Sequence, residues 1–212
     1  MKTQGTKAKT FRRNRAFTLV ELLVVIGIIA ILAGLSIPVG NQVLVKARIL
    51  KARAQMNAIE AAVRNYNQEY SRWPIEPGQQ GGPDLFFEVS DVGGAAGFMS
   101  ALLGDNPASG VPNPRLTGFI EPDYSPGGRG GIDPTDTIDL QWNDPWGNPY
   151  IVVVDANYDK RLADPTDPAV TLRKSVLIVS GGPNHEGIAI SASPASIAGL
   201  DLTQPNIIYS WK

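Results

Sequence analysis

From Phe17 to Ile37 the chain reads FTLVELLVVIGIIAILAGLSI, 21 residues with a single charge, Glu21. As a helix rising ~1.5 Å per residue this run spans ~31 Å, about one bilayer hydrocarbon core, and it is read as a transmembrane helix. A helix apolar on every side is either a membrane span or the centre of an assembly. Pro38 removes one backbone donor and, with Gly34 and Gly40 nearby, predicts a kink there. The pattern then changes. Val45, Ile49, Ala52, Met56, Ile59, Val63, Tyr66 and Tyr70 recur at spacings of three and four, while Lys46, Arg53, Glu60, Arg64 and Gln68 occupy the opposite side. This predicts an amphipathic continuation of the same helix over 38–72, halted before Trp73-Pro74 because a residue preceding proline avoids the α region. With only one such helix present, a sheet is favoured over a coiled-coil partner for its apolar face.

The rest of the chain changes period again. Residues 74–141 form a loop-rich insertion punctuated by GGP at 81–83, VPNP at 111–114 and SPGGRGG at 125–131, with short helices expected at 85–87 and 98–103. Runs at 150–154, 175–179 and 206–210 are β-branched and aromatic, and a shorter one lies at 188–190. Strands joined by loops predict an antiparallel meander over 150–212, so the folded part is α+β: a long N-terminal helix packed on a small antiparallel sheet.

Composition narrows the chemistry. The 212 residues include no cysteine, which excludes disulfides, thiolate metal sites and a cysteine nucleophile. The one histidine, His185, has no recognisable nucleophile setting to serve. No phosphate-binding loop, dinucleotide fingerprint or zinc spacing is present, and the chain is read as a non-enzyme. Charge is asymmetric. Residues 1–16 carry six basic side chains and no acid, whereas residues 72–212 carry eight basic and seventeen acidic ones. The acidic body argues against nucleic acid as a partner. The basic leader argues for a topology signal that keeps residues 1–16 cytoplasmic and sends everything after Pro38 across the membrane. A cleaved secretory peptide fits less well, because no A-x-A site follows the apolar run.

Arg15-Ala16 followed by Phe17-Thr18-Leu19-Val20-Glu21-Leu22-Leu23-Val24-Val25-Ile26 resembles the prepilin signal of type IV pilins and type II secretion pseudopilins. The resemblance implies cleavage between Ala16 and Phe17 by a prepilin peptidase, methylation of the new Phe17 amine, and pairing of Glu21 with the Phe17 amine of an adjacent subunit. One departure is Ala16, where the family nearly always has glycine. The segment Asp144-Pro145-Trp146-Gly147-Asn148-Pro149-Tyr150 is similar to the DPWGNPY stretch of major pseudopilins, and Ser180-Gly181-Gly182-Pro183-Asn184 is similar to a later turn of the same proteins. The implied architecture is pilin-like: leader 1–16, assembly and transmembrane helix 17–37, amphipathic half 38–72, and an exported globular domain 73–212. The implied role is a structural subunit of a type II secretion pseudopilus, held in the bacterial inner membrane by a single pass and then assembled with copies of itself into a periplasmic filament. Its partners would be the prepilin peptidase and the inner-membrane assembly platform. A type IV pilin of a surface fibre and a membrane-anchored binding module are the alternatives.

One acidic loop invites a metal reading. Asp155, Asn157 and Asp159, with Asp164 downstream, place oxygens at alternating positions that can converge on a hard cation such as calcium. An EF-hand template fails at Lys160 and Thr166. Calcium ligation and a solvated acidic turn both stand as readings of this loop.

Overall fold

The computed structural model describes residues 17–91, 96–107, 110–135, 139–165, 167–183 and 207–210. Helix α1 runs from Leu19 to Tyr70, and its backbone stays helical through Pro38. The chain divides into two compact units, Met1–Val45 and Lys46–Lys212.

In the first unit the side chains from Phe17 to Gly34 are exposed. Among the described residues no helix is long and apolar enough to cross a membrane. This corrects the expected transmembrane helix at 17–37 and the single-pass inner-membrane placement that went with it. Over the described side chains the apolar run from Leu19 carries the charge of Glu21, and from Lys46 onward charged residues recur along the helix.

In the second unit α1 behaves as its periodicity predicts. Ala52, Met56, Ile59, Val63 and Tyr66 are fully buried, and Ile49 and Tyr70 pack against the margin of the same core. The helix stops where Ser71 takes the left-handed conformation at φ 54°, its amide bonding the Asn67 carbonyl, three residues before Pro74.

Strand β1 (Leu85–Glu88) follows, then the short helix α2 (Phe98–Leu103), and the two-residue strands β2 (Gly131–Ile132) and β3 (Trp142–Asn143), which pair with each other. Strands β4 (Ile151–Val154), β5 (Leu162–Asp164), β6 (Asp167–Leu172), β7 (Val176–Ser180) and β8 (Ile208–Tyr209) complete the fold. The main sheet is antiparallel in the order β1-β4-β7-β8. The α+β arrangement, with a helix on a small antiparallel sheet, is therefore present, and the membrane-spanning half of that expectation is not.

Alternation divides the sheet into two faces. Leu85, Phe87, Val152, Val154, Val176, Ile178 and Ile208 join the buried face of α1 in one hydrophobic core, closed from another side by Phe98, Met99 and Leu102 of α2. Phe86, Val153 and Leu177 point the other way and are covered by Leu162 and Leu172 of the β5–β6 hairpin. Strand β1 replaces the short helix expected at 85–87. Four residues cannot declare a period, and pairing with β4 from Leu85↔Val154 to Glu88↔Ile151 decides the matter. The region at 188–190 lies outside the described residues.

A polar anchor ties α1 to the loops beneath it. Buried Gln55 donates through Nε2 to the Gly130 carbonyl at 2.8 Å and to Asp123 at 3.0 Å, and accepts the Tyr150 hydroxyl at 2.8 Å. Burial and the nearby carboxylates of Asp144 and Asp123 push the Tyr150 hydroxyl far above the usual phenol range. Gly131 is required by the close approach of this loop, since a Cβ there would sit 2.4 Å from the Asp123 carbonyl oxygen.

Candidate functional site

The N-terminus of α1 is built around Glu21. Thr18 donates to Glu21 Oε2 through both its amide and its hydroxyl, each at 2.8 Å, and the Glu21 amide returns a bond to Thr18 Oγ1 at 3.2 Å. This is a reciprocal capping box, with Thr18 as cap and Glu21 three residues on. The two Thr18 donors hold the Glu21 carboxyl below the usual carboxylate range. The carboxylate also lies at the positive end of the helix macrodipole, where negative charge is favoured. The T-x-x-E spacing signals this cap in the sequence, yet a reading centred on charge pairing passes over Thr18. Around this polar start the surface is apolar: Phe17 is 74% exposed, and Leu19, Val20, Leu22 and Leu23 lie open beside it. Ala16 lies outside the described residues.

The second concentration of chemistry is the turn at Asp144. Its side chain is fully buried. Oδ1 accepts the amides of Trp146, Gly147 and Asn148, each at 2.9 Å. Oδ2 accepts the Ser180 hydroxyl at 2.7 Å and the Gly182 amide at 3.2 Å. Asn148 donates from its side chain to the same carboxylate and to the Gly182 carbonyl. The carboxylate is thus met by converging backbone and side-chain dipoles. Gly147 adopts φ 100°, a conformation that side chains with a Cβ avoid, and this closes the turn over Oδ1. The stretch 144–150 and the residues Ser180 and Gly182 of the later turn, both singled out in the sequence, therefore meet at one carboxylate. Trp142 is fully buried, whereas Trp146 is only partly buried against the core.

The acidic loop is a set of local turns. Asp155 accepts the amides of Asp159 and Lys160, Asn157 Oδ1 accepts Asp159, and Asp159 Oδ1 accepts Arg161. Asp164 is buried in β5. Among the described residues no group of three or more acidic or histidine side chains is arranged to hold a metal ion. Three of the four residues, Asp155, Asn157 and Asp159, direct oxygens at backbone amides. His185 lies outside the described residues.

Asp84 faces this loop. Partial burial, with the like charges of Asp155 and Asp159, raises its pKa to about 6, and one of its oxygens is buried without a partner. Between the unfolded value near 3.8 and about 6 the folded chain holds a proton that the unfolded chain has lost. Stability contributed by this group is present at low pH and lost as pH rises through that window. The expected result is that wild type loses about 1 kcal/mol relative to Asp84→Asn between pH 4 and pH 6.5, solvent around the partly exposed carboxyl keeping the loss small. Urea titrations of both proteins across that range check it; parallel profiles would refute it.

Residues 11–37 match the model of the prokaryotic N-terminal methylation motif. The chain is 30% identical over 105 residues to the type IV major pilin protein PilA of Myxococcus xanthus (strain DK1622), an alignment covering 47% of this chain and 48% of that protein. It thus spans about half the length of that relative. It is 31% identical over 151 residues to the type II secretion system core protein G of Aeromonas hydrophila, covering 70% of this chain and 79% of that protein. No solved structure matches the chain. With the capped apolar helix start, the helix-on-sheet body and these similarities together, the chain belongs to the family of type IV pilins and type II secretion pseudopilins, structural subunits with a prepilin-type processing signal and not enzymes.

Proposed function

We propose that this protein is the major subunit of a type II secretion pseudopilus. A prepilin peptidase cuts between Ala16 and Phe17 and methylates the new amine. The processed chains then assemble through the apolar row that begins at Phe17, with Glu21 meeting the Phe17 amine of the neighbouring subunit. Copies of itself, the peptidase and an assembly platform are the partners this reading requires. The observation that carries it is the exposed apolar start of α1 interrupted by one carboxylate. In water that surface is costly, at roughly 25 cal/mol per Å², and packing against identical helices removes the cost.

A surface pilin is the second reading, and the similarity to PilA supports it. The DPWGNPY turn, the absence of cysteine and the longer alignment with the secretion protein favour the pseudopilus.

Glu21→Gln tests the assembly contact cleanly. Glutamine keeps an acceptor for the capping box and removes the charge. The expected outcome is a processed, folded chain whose filament yield falls to background. Full assembly of this variant would remove Glu21 from the contact. Intact mass and N-terminal sequencing of the processed chain should give N-methylated Phe17. Extracellular fibres that disappear on deletion of the protein, with secretion left intact, would favour the pilin reading instead.

A further inference from the structure

We propose that the outward face of α1 between Lys46 and Ala61 is a docking surface for the acidic globular body of a second copy of this chain. The inference rests on the filament reading above and names the surface that the amphipathic half of the helix contributes to it. In the Lys46–Lys212 unit one side of α1 is spent on the core, through Ala52, Met56, Ile59 and Val63. The other side presents Lys46, Leu50, Arg53 and Asn57, all exposed and spaced by three or four residues. The exposed residues beside them include alanines at 47, 54, 58 and 61, which another protein can approach closely, along with Lys51.

Charge identifies the occupant. Residues 46–53 hold four basic side chains and no acid. Lys51 is engaged with Asp123 at 3.4 Å, whereas Lys46, Arg48 and Arg53 have no ion pair among the described residues. Residues 72–212 carry seventeen acidic and eight basic side chains, a surplus of nine negative charges. In a homopolymer that surplus arrives with every added subunit. Two copies of the helix face placed against each other would set cations against cations, so the complementary arrangement is face to body. Such a contact joins two different patches, and repeated head to tail it builds an open filament rather than a closed dimer. An anionic lipid surface would also attract the cations, yet Leu50 is the one large apolar residue on this face between them to enter it.

The test uses the full chain produced with its peptidase, with polymer measured by sedimentation. Lys46→Glu with Arg53→Glu is expected to lower polymer yield on the order of tenfold at low salt, with Lys46→Gln plus Arg53→Gln between it and wild type. Wild-type polymer should itself weaken as salt rises from about 0.05 M to about 0.5 M, because such contacts are screened. Both positions are exposed, so thermal melting of the variants should match wild type and separates an assembly effect from misfolding. Wild-type polymer yield retained in the double reversal would overturn the docking surface while leaving the filament reading standing. So would a reversal that reduces only sedimentation with phosphatidylglycerol vesicles, which would assign the face to lipid. Absence of polymer from wild type in every condition would defeat the filament reading itself.

Discussion

Asp144→Ala is expected to destabilise the Lys46–Lys212 unit by about 3–5 kcal/mol, the range for breaking a buried charged cluster by removing one member. The alanine leaves the amides of Trp146, Gly147 and Asn148, the Gly182 amide and the Ser180 hydroxyl without their common acceptor. Each stranded buried donor costs about 1–3 kcal/mol, reduced where water enters the space left by the carboxylate. Asp144→Asn is informative for the opposite reason. It keeps the volume, but turns one oxygen into a donor facing donors, so a large part of the loss should remain. Ser180→Ala removes a single partner and should cost about 1 kcal/mol. Urea titration followed by tryptophan fluorescence reads the transition, since Trp142 and Trp146 flank the turn. An Asp144→Ala loss below 1 kcal/mol would mean that the turn holds without its carboxylate.

The second large effect separates the two faces of the sheet. Phe87 is 1% exposed, shares the main core, and meets Phe98 edge to face with ring centroids 4.9 Å apart. Phe87→Ala should cost about 3–5 kcal/mol, from lost burial plus the cavity left between sheet and α2. Its chain neighbour Phe86 points to the other face, half-buried beneath the β5–β6 hairpin. Phe86→Ala should cost about 1–2 kcal/mol, in proportion to the smaller area it buries. Equal losses at the two positions, measured by the same urea titration, would contradict the assigned strand faces.

The faces were only partly legible beforehand. The core side of α1 could be read because Ala52, Met56, Ile59, Val63 and Tyr66 repeat over several turns, and a period sustained that long leaves few alternatives. Strand β1 could not, because Leu85-Phe86-Phe87 suits a helical turn as well as a strand, and its partner lies more than 60 residues away. The β5–β6 hairpin was hidden by Pro165 and Pro168, which usually demote a strand. It survives as a separate two-stranded ribbon with a register shift between Ala163 and Asp164. At the acidic loop the alternation of Asp155, Asn157 and Asp159 is genuine. The same spacing, however, serves Asx turns, in which each side chain bonds a backbone amide just ahead of it. The processing signal was legible as a pattern of residue types, and the Thr18–Glu21 cap was signalled by the T-x-x-E spacing but passed over by a reading centred on the charge of Glu21. Asp144 escaped notice because its function is to be surrounded. The prolines and glycine of its turn advertise a bend, and nothing local shows that Ser180 and Gly182 will close over the carboxylate.

That closure has a consequence for synthesis. Asp144 is synthesised 36 residues before Ser180 and 38 before Gly182, so its carboxylate lacks these partners until they have been made. Until they arrive, burying the turn would strand a charge, and the growing chain gains nothing by condensing early. The bonds between Asp144 and the later turn thus defer completion of the fold until translation has passed Gly182.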